Sequence, residues 1–184
     1  MYLKRNIDQE LLLWSQNTSR KPLLLRGARQ VGKSTAIRAL ATNFEHYLEI
    51  NFEEQRQVHQ LFAGNLSPET LCENLSVLFN IPINPGNTLI FFDEIQACIP
   101  AISSLRFFYE KLPELHLIAA GSLLEFALAE LPSFGVGRIR SMFWYPFSFD
   151  EFLLANKEEL LLNAKRPASP ENPLAEPLLN KLLE

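Results

Sequence analysis

A short glycine-containing segment, residues 27–34, has the residue types and spacing needed to hold a phosphate chain. Its sequence, GARQVGKS, fits the Walker A pattern G-x-x-x-x-G-K-[ST]. The glycines let the backbone curl so that successive N–H groups point toward one anion. The pattern predicts Lys33 on the β- and γ-phosphates and Ser34 on Mg²⁺. The alternative is a glycine-rich turn that binds nothing.

The sequence on either side of this segment supports the phosphate site. Leu23–Leu25 predicts a short buried strand before it, and a helix is predicted to begin near Lys33. The positive end of that helix dipole would favour an anion. We therefore expect the nucleotide phosphates to be bound by the loop and the first turn of the helix, which comprise Gly27, Ala28, Arg29, Gln30, Val31, Gly32, Lys33, Ser34 and Thr35.

A second candidate element is the apolar run Leu89–Phe92, which ends in two acids, Asp93 and Glu94. A hydrophobic strand followed by an acid fits Walker B, and this one lies about 60 residues after Lys33. Asp93 is predicted to hold Mg²⁺, and Glu94 to orient and deprotonate the attacking water. On its own, a hydrophobic-Asp-Glu string also fits a solvated strand end.

Three polar residues near later strands are further candidates. Ser122 follows the predicted buried strand 116–120, where it would lie beside the γ-phosphate or cap the next helix, and the two roles are compatible. Arg138 and Arg140 lie two residues apart, on one face of a last predicted strand. Either would stabilise charge on the γ-phosphate, in cis or from a neighbouring subunit. The alternative is a pair of surface arginines.

Predicted strands alternate with predicted helices, which favours a mainly parallel sheet covered by helices on both faces. Its ligand-binding edge should lie at the carboxyl ends of the strands. The predicted strands are 23–25, 46–52, 88–92, 116–120 and 138–145, and helices are predicted over 7–16, 53–62, 123–131 and 150–162. A further helix is predicted to begin at Ser67 and Pro68, with serine at the N-cap and proline at the first helical position. We expect one phosphate-loop domain over 1–162, then a Pro-rich linker and the start of a further helical element over 163–184.

The charge of the chain is unevenly distributed. Its 184 residues carry a formal net charge of −4, yet residues 1–38 hold eight Lys or Arg against two Asp or Glu, a charge of +6. This positive end contains the predicted phosphate site, where it would attract an anionic ligand. A nucleic-acid-binding patch and a solvated surface are the two other interpretations.

Several features bear on the cellular compartment. Cys72 and Cys98 are far apart and form no C-x-x-C pair, which indicates free thiols in a reducing compartment. The N-terminus has no secretory signal pattern, and no apolar run approaches the ~18 residues of a transmembrane helix. We expect a cytoplasmic protein that does not span a membrane.

Two other classes of phosphate-loop protein fit less well. A GTPase needs an Asn-Lys-x-Asp base reader, and the nearest string, residues 156–159, is NKEE in a helical stretch. A small-molecule kinase would want a substrate pocket and a lid, and no clear lid is visible in the sequence.

Four blocks, in order, resemble the motifs of a prokaryotic AAA-type ATPase family. They are residues 27–35, 91–96, 120–124, and 137–138 together with 145–152. The resemblance covers roughly residues 18–155. It implies an ASCE-type sheet of strand order 5-1-4-3-2, ATP rather than GTP, Asp93 and Glu94 as Walker B acids, Ser122 as a sensor and Arg138 as the better arginine candidate. Members of this family join an N-terminal ATPase domain to a C-terminal domain of poorly known function, and this sequence stops where the family continues.

Together these features predict a Mg²⁺-dependent ATPase domain that converts nucleotide state into a conformational change. Its ligands would be ATP and ADP, and the change would act on a protein partner or within an oligomer. The alternative is a nucleotide-gated binding module with negligible turnover, which would contact nucleic acid through the basic N-terminal third.

Overall fold

The computed structural model describes residues 2–122, 124–129 and 137–183. These residues form two compact units. The larger unit consists of residue 2 and residues 7–145, and the smaller of residues 3–6 and 146–183. The predicted domain end at residue 162 lies inside the smaller unit. Among the described residues, no helix has both the length and the apolar character needed to cross a bilayer.

The larger unit is built on a five-stranded sheet. Its strands are β1 (Leu23–Arg26), β2 (His46–Asn51), β3 (Thr88–Asp93), β4 (His116–Gly121) and β5 (Arg140–Phe143). Its helices are α1 (Ile7–Gln16), α2 (Lys33–Ala41), α3 (Pro68–Phe79), α4 (Ile99–Lys111) and α5 (Leu124–Ala129), with 3₁₀ helices over Arg56–Phe62 and Ile95–Ala97.

All strand pairs are parallel, and the spatial order is β2-β3-β4-β1-β5. Read from the other edge, this is the order 5-1-4-3-2 that the family resemblance implied, and the prediction of an α/β phosphate-loop fold is confirmed. The carboxyl ends of β1, β3 and β4 therefore meet at one edge of the sheet. Those ends carry the phosphate loop, the Asp-Glu pair and Ser122, respectively.

Successive strand residues point to opposite faces of the sheet, and the core divides accordingly. On β3, Ile90 and Phe92 pack in one cluster, with residues of α3 and α4, whereas Leu89 and Phe91 pack in a second cluster, with residues of α1 and α2. Every residue of β3 and β4 is buried. A central strand covered on both faces needs apolar residues throughout, which explains the continuous hydrophobic runs in the sequence.

The predicted helices and strands differ from the structure mainly at their ends. Residues 53–62 contain a 3₁₀ helix from Arg56 to Phe62, and β5 is shorter than the predicted strand 138–145. The helix predicted over 123–131 is α5, Leu124–Ala129, within the described residues. Leu123 and residues 130–136 lie outside the described residues, as does the end of the helix predicted to reach Glu184.

The smaller unit contains α6 (Phe149–Ala155), α7 (Glu159–Lys165) and α8 (Glu176–Leu183). One helix was predicted over 150–162, but the structure has two, α6 and α7. The helix is interrupted between them, where Lys157 has a φ of 63°. The start of α6 is fixed by a capping box between Ser148 and Glu151. Burial raises the pKa of Glu151, but hydrogen bonds from the Ser148 backbone, the Arg5 guanidinium and the Asn6 backbone outweigh it and lower that pKa to about 2.

Candidate functional site

The phosphate loop connects β1 to α2 and depends on backbone angles that favour glycine. Gly27 has a φ of 150° and Gly32, at the N-cap of α2, has a φ of 90°. Gln30 also has a positive φ, of 60°, which turns the loop at its tip. The first turn of α2 then presents its N–H groups at the end of the loop, as the Walker A pattern predicts.

Trp144, the residue after β5, holds the phosphate loop and the end of β1 through two hydrogen bonds. Its indole Nε1 donates to the Val31 carbonyl at 2.9 Å, and its backbone N donates to the Arg26 carbonyl at 2.6 Å. A Cβ on Gly27 would lie 2.2 Å from the Trp144 carbonyl oxygen, so only glycine fits there. No local sequence pattern predicts this role, because the contact joins two residues more than 110 positions apart.

Lys33 lies inside the curl of the loop and is only 8% exposed. Its Nζ donates to the carbonyls of Gly27, at 2.9 Å, and Ala28, at 2.7 Å. Burial lowers the pKa of Lys33, while the charges of Glu94 and Asp93 act to raise it. The loop thus holds a buried ammonium group beside the N-terminus of α2, where it would add to the attraction for a phosphate chain.

Ser34 and Asp93 meet at the floor of the same cleft. The Ser34 Oγ donates to Asp93 Oδ2 at 2.8 Å, and the Glu94 backbone N donates to Asp93 Oδ1 at 3.1 Å. Asp93 is 7% exposed, and burial raises its pKa despite these hydrogen bonds. A buried carboxylate and a hydroxyl in contact are oxygen donors of the kind that Mg²⁺ takes, with phosphate oxygens and water completing its shell. The residues therefore fit a magnesium ion.

Glu94 follows β3 in a left-handed conformation, with a φ of 48°. Its Oε2 accepts a hydrogen bond from Gln96 Nε2 at 2.7 Å. Gln96 was not among the residues predicted for the site, although it ends the motif block 91–96. The available signal was its position two residues after Glu94. In the structure Gln96 lies on the 3₁₀ helix Ile95–Ala97, which brings its side chain to Glu94.

The predicted residues enclose a cleft of about 340 Å³. It brings together the phosphate loop and both Walker B acids, and its lining residues are Arg29, Gln30, Val31, Gly32, Lys33, Ser34, Thr35, Asp93 and Glu94. Nine residues predicted from two separate sequence motifs thus line one cavity at the carboxyl edge of the sheet. The cleft has Arg29 and Lys33 on the loop side and Asp93 and Glu94 on the β3 side, an arrangement that suits a phosphate chain with a cation.

Ser122 lies at the same edge, where its Oγ accepts a hydrogen bond from Arg29 Nε at 3.1 Å. Arg29 also donates to Glu53 Oε1 at 3.3 Å, so the loop tip contacts residues that follow β2 and β4. The predicted cap of the next helix cannot be followed here, since Leu123 lies outside the described residues.

Arg138 and Arg140 lie far from the phosphate loop. Arg140 pairs in register with Leu23, the first residue of β1, whereas the loop follows the last residue of that strand. Arg138 precedes Arg140 and pairs with Glu110, near the end of α4, while Arg140 lies 3.7 Å from a carboxylate oxygen of Glu10. Both arginines are therefore at the amino edge of the sheet, opposite the cleft of their own chain.

The strand order and this site are those of the phosphate-loop NTPase fold. A family profile described as AAA domain matches residues 19–153, and the chain belongs to that family. It is a nucleotide-binding domain, and the resemblance to AAA-type ATPases drawn from the motifs is confirmed.

Among solved structures, PCH-2 of C. elegans is similar, at 15% sequence identity and a TM-score of 0.46. The match covers 92% of this chain and 50% of that one, so this chain spans about half the length of the PCH-2 structure. A search of the curated proteins found no match.

Proposed function

We propose that this chain is a Mg²⁺-dependent ATPase domain that couples nucleotide state to a partner. The observation that carries the proposal is the contact between Ser34 Oγ and Asp93 Oδ2, at 2.8 Å beneath the phosphate loop. Two motifs about 60 residues apart in sequence supply these two oxygens. A structural turn would not need a buried carboxylate at that point, because burying an ionised group is costly without a compensating cation.

Each predicted residue has a role consistent with its position. Lys33 would exchange its bonds to the loop carbonyls for bonds to the β- and γ-phosphates. Ser34 and Asp93 would hold Mg²⁺, which neutralises charge on the phosphate oxygens. Glu94 lines the cleft and would accept the proton from the attacking water, as the water oxygen bonds to the γ-phosphorus and the bond to the ADP oxygen breaks.

Ser122 and Arg138 enter the proposal differently. Ser122 contacts the loop tip through Arg29, and in the proposal it would sense the γ-phosphate. Arg138 is at the opposite edge of its own sheet, so a role on the γ-phosphate would require the site of a neighbouring subunit. The proposal therefore includes an oligomer, in which Arg138 of one copy approaches the cleft of the next.

The nucleic-acid alternative has less support. Of the eight basic residues in positions 1–38, six form hydrogen bonds or ion pairs with other groups of the chain. These are Arg5, Arg20, Arg26, Arg29, Lys33 and Arg38. These pairings within the chain offset part of the +6 excess, although the side chains of Arg29 and Arg38 remain more than half exposed.

A cytoplasmic location remains part of the proposal. Cys72 and Cys98 are both free and buried. Burial raises the pKa of the Cys72 thiol to about 12, which keeps it protonated and unreactive. Two unpaired thiols are consistent with a reducing compartment.

The test is phosphate release with ATP and with GTP, together with calorimetric titration of each nucleotide. Lys33→Ala should lose ATP binding, whereas Glu94→Gln should bind ATP and lose hydrolysis. Lys21→Ala, which removes a lysine outside the cleft, is the matched control and should behave as wild type. Full ATP affinity in Lys33→Ala would reject the site, and unchanged phosphate release in Glu94→Gln would remove Glu94 as the base.

A further inference from the structure

A chain of polar contacts at the carboxyl edge of the sheet links the phosphate loop to the predicted catalytic acid. Arg29 at the loop tip donates to Glu53, which follows β2, at 3.3 Å. Gln96 Nε2 lies 3.3 Å from the same Glu53 oxygen and 2.7 Å from Glu94 Oε2. The two hydrogens of one amide thus join two carboxylates that come from neighbouring strands.

The orientation of the Gln96 amide is set by its surroundings. Its NH₂ group faces two carboxylates, so the reversed amide would place an oxygen against both of them. In the orientation found, Oε1 is buried and has no hydrogen-bond partner among the described residues. Leaving a buried acceptor unsatisfied is unfavourable, and it is tolerated here because the opposite face of the amide makes two hydrogen bonds to acids.

Gly121 at the end of β4 provides the space for this amide. A Cβ at Gly121 would lie 2.1 Å from Gln96 Oε1. The absence of a side chain at this strand end therefore lets Gln96 lie against the sheet edge and reach Glu94. Three strand ends contribute to the arrangement, since Glu53 follows β2, Gln96 follows β3 and Gly121 ends β4.

We propose that Gln96 is the positioning residue for Glu94, and that Glu53 and Arg29 fix the Gln96 amide in place. The inference rests on the proposed ATPase function. Gln96 holds one carboxylate oxygen of Glu94, and the carboxylate is thereby oriented so that its other oxygen is presented to water in the cleft. Glu53 takes the second amide hydrogen, and Arg29 balances the Glu53 charge. Because Arg29 belongs to the phosphate loop, the orientation of the Glu94 carboxylate depends on the position of the loop that binds the nucleotide.

The kinetic test compares Gln96→Met and Gln96→Glu with wild type. Methionine has a similar shape but no donor, so kcat should fall by about tenfold to a hundredfold, the scale of a misoriented catalytic group, while the Kd for ATP stays within about twofold. Glutamate adds a third acid and should lower kcat further. Gln57→Met, at an exposed glutamine, should match wild type. If Gln96 only fills space, Gln96→Met would retain full kcat, and the proposal would be overturned.

A second measurement needs no nucleotide. The side-chain amide resonances of Gln96 can be assigned in an NMR spectrum of the whole chain by their absence in Gln96→Met. They should shift in Glu94→Ala and in Glu53→Ala, whereas the amide resonances of Gln57 stay unchanged. Unchanged Gln96 resonances in Glu94→Ala would show that the hydrogen bond is absent and would overturn the proposal.

The two measurements separate the possible failures. A wild-type protein that releases no phosphate, but whose Gln96 resonances respond to Glu94→Ala, contradicts the ATPase function and supports the contact. A wild-type protein that hydrolyses ATP, with Gln96→Met fully active, supports the ATPase function and contradicts the positioning role.

Discussion

Gly27→Ala is a sharp test of how the phosphate loop is held. An alanine Cβ at this position would lie 2.2 Å from the Trp144 carbonyl oxygen and 3.1 Å from its carbonyl carbon. Non-bonded heavy atoms prefer separations of about 3.5 Å or more, so one of the two segments must move by about 1 Å. Trp144 resists that movement because it is 2% exposed and makes hydrogen bonds to Val31 and Arg26.

The expected cost has two parts. Overpacking of this kind costs about 1–3 kcal/mol. The φ of 150° at Gly27 lies in a region that residues with a Cβ rarely adopt, which adds about 1–3 kcal/mol. Gly27→Ala should therefore lower the free energy of unfolding by about 2–6 kcal/mol. It should also weaken ATP binding, because the carbonyls and N–H groups of the loop would be displaced.

Two other glycines provide matched controls for urea unfolding. Gly86 has a φ of 87° but open space around a built Cβ, so Gly86→Ala should show the backbone cost alone, about 1–2 kcal/mol. Gly64 has open space and no positive φ, so Gly64→Ala should change stability by about 0.5 kcal/mol or less. If Gly27→Ala is no more destabilising than Gly86→Ala, the proposed contact between the loop and Trp144 is wrong.

Three further predictions concern charge and space. Burial raises the pKa of Asp93 above its ordinary 3.8, so keeping this carboxylate ionised lowers the free energy of unfolding. Asp93→Asn should therefore raise Tm while weakening MgATP binding, and a lower Tm would contradict this. Glu151 has a pKa of about 2 against an ordinary 4.5, so its contribution is complete above pH 4.5 and is lost as the pH falls toward 2. Urea unfolding of wild type and Glu151→Gln should converge over that range, and a constant difference would refute the assignment. Gly121→Ala places a Cβ 2.1 Å from Gln96 Oε1 and 3.0 Å from Leu124 Cγ, so kcat should fall and Tm should fall less than in Gly27→Ala, whose contact is with backbone. Wild-type kcat would contradict the role of that space.

The central part of the fold could be predicted because it depends on local patterns. β3 and β4 are continuous apolar runs, and such runs are required where helices cover both faces of a parallel sheet. Ser67 followed by Pro68 correctly marks the start of α3, because proline suits the first helical position. The Walker residues were likewise identifiable, since their spacing within each motif sets the local geometry.

The remaining features depend on contacts between distant residues. Nothing near Trp144 in the sequence indicates that its indole reaches Val31. The spacing of Arg138 and Arg140 predicted one strand for both, but this is wrong for Arg138, because β5 begins at Arg140. Only the register of Arg140 with β1 shows that this end of β5 lies at the amino edge. The break between α6 and α7 occurs at Lys157, without the glycine or proline that usually marks such a turn.

The most direct test of the central claim is a calorimetric titration of ATP into the wild-type chain and into Ser34→Ala, with Mg²⁺ and with EDTA. If Ser34 and Asp93 hold the cation that accompanies the phosphates, wild-type affinity should fall by about tenfold or more without Mg²⁺, the scale of one lost charge-assisted contact. Ser34→Ala should show a much smaller dependence on Mg²⁺. Equal wild-type affinity in Mg²⁺ and in EDTA, or no ATP binding in either, would contradict the account.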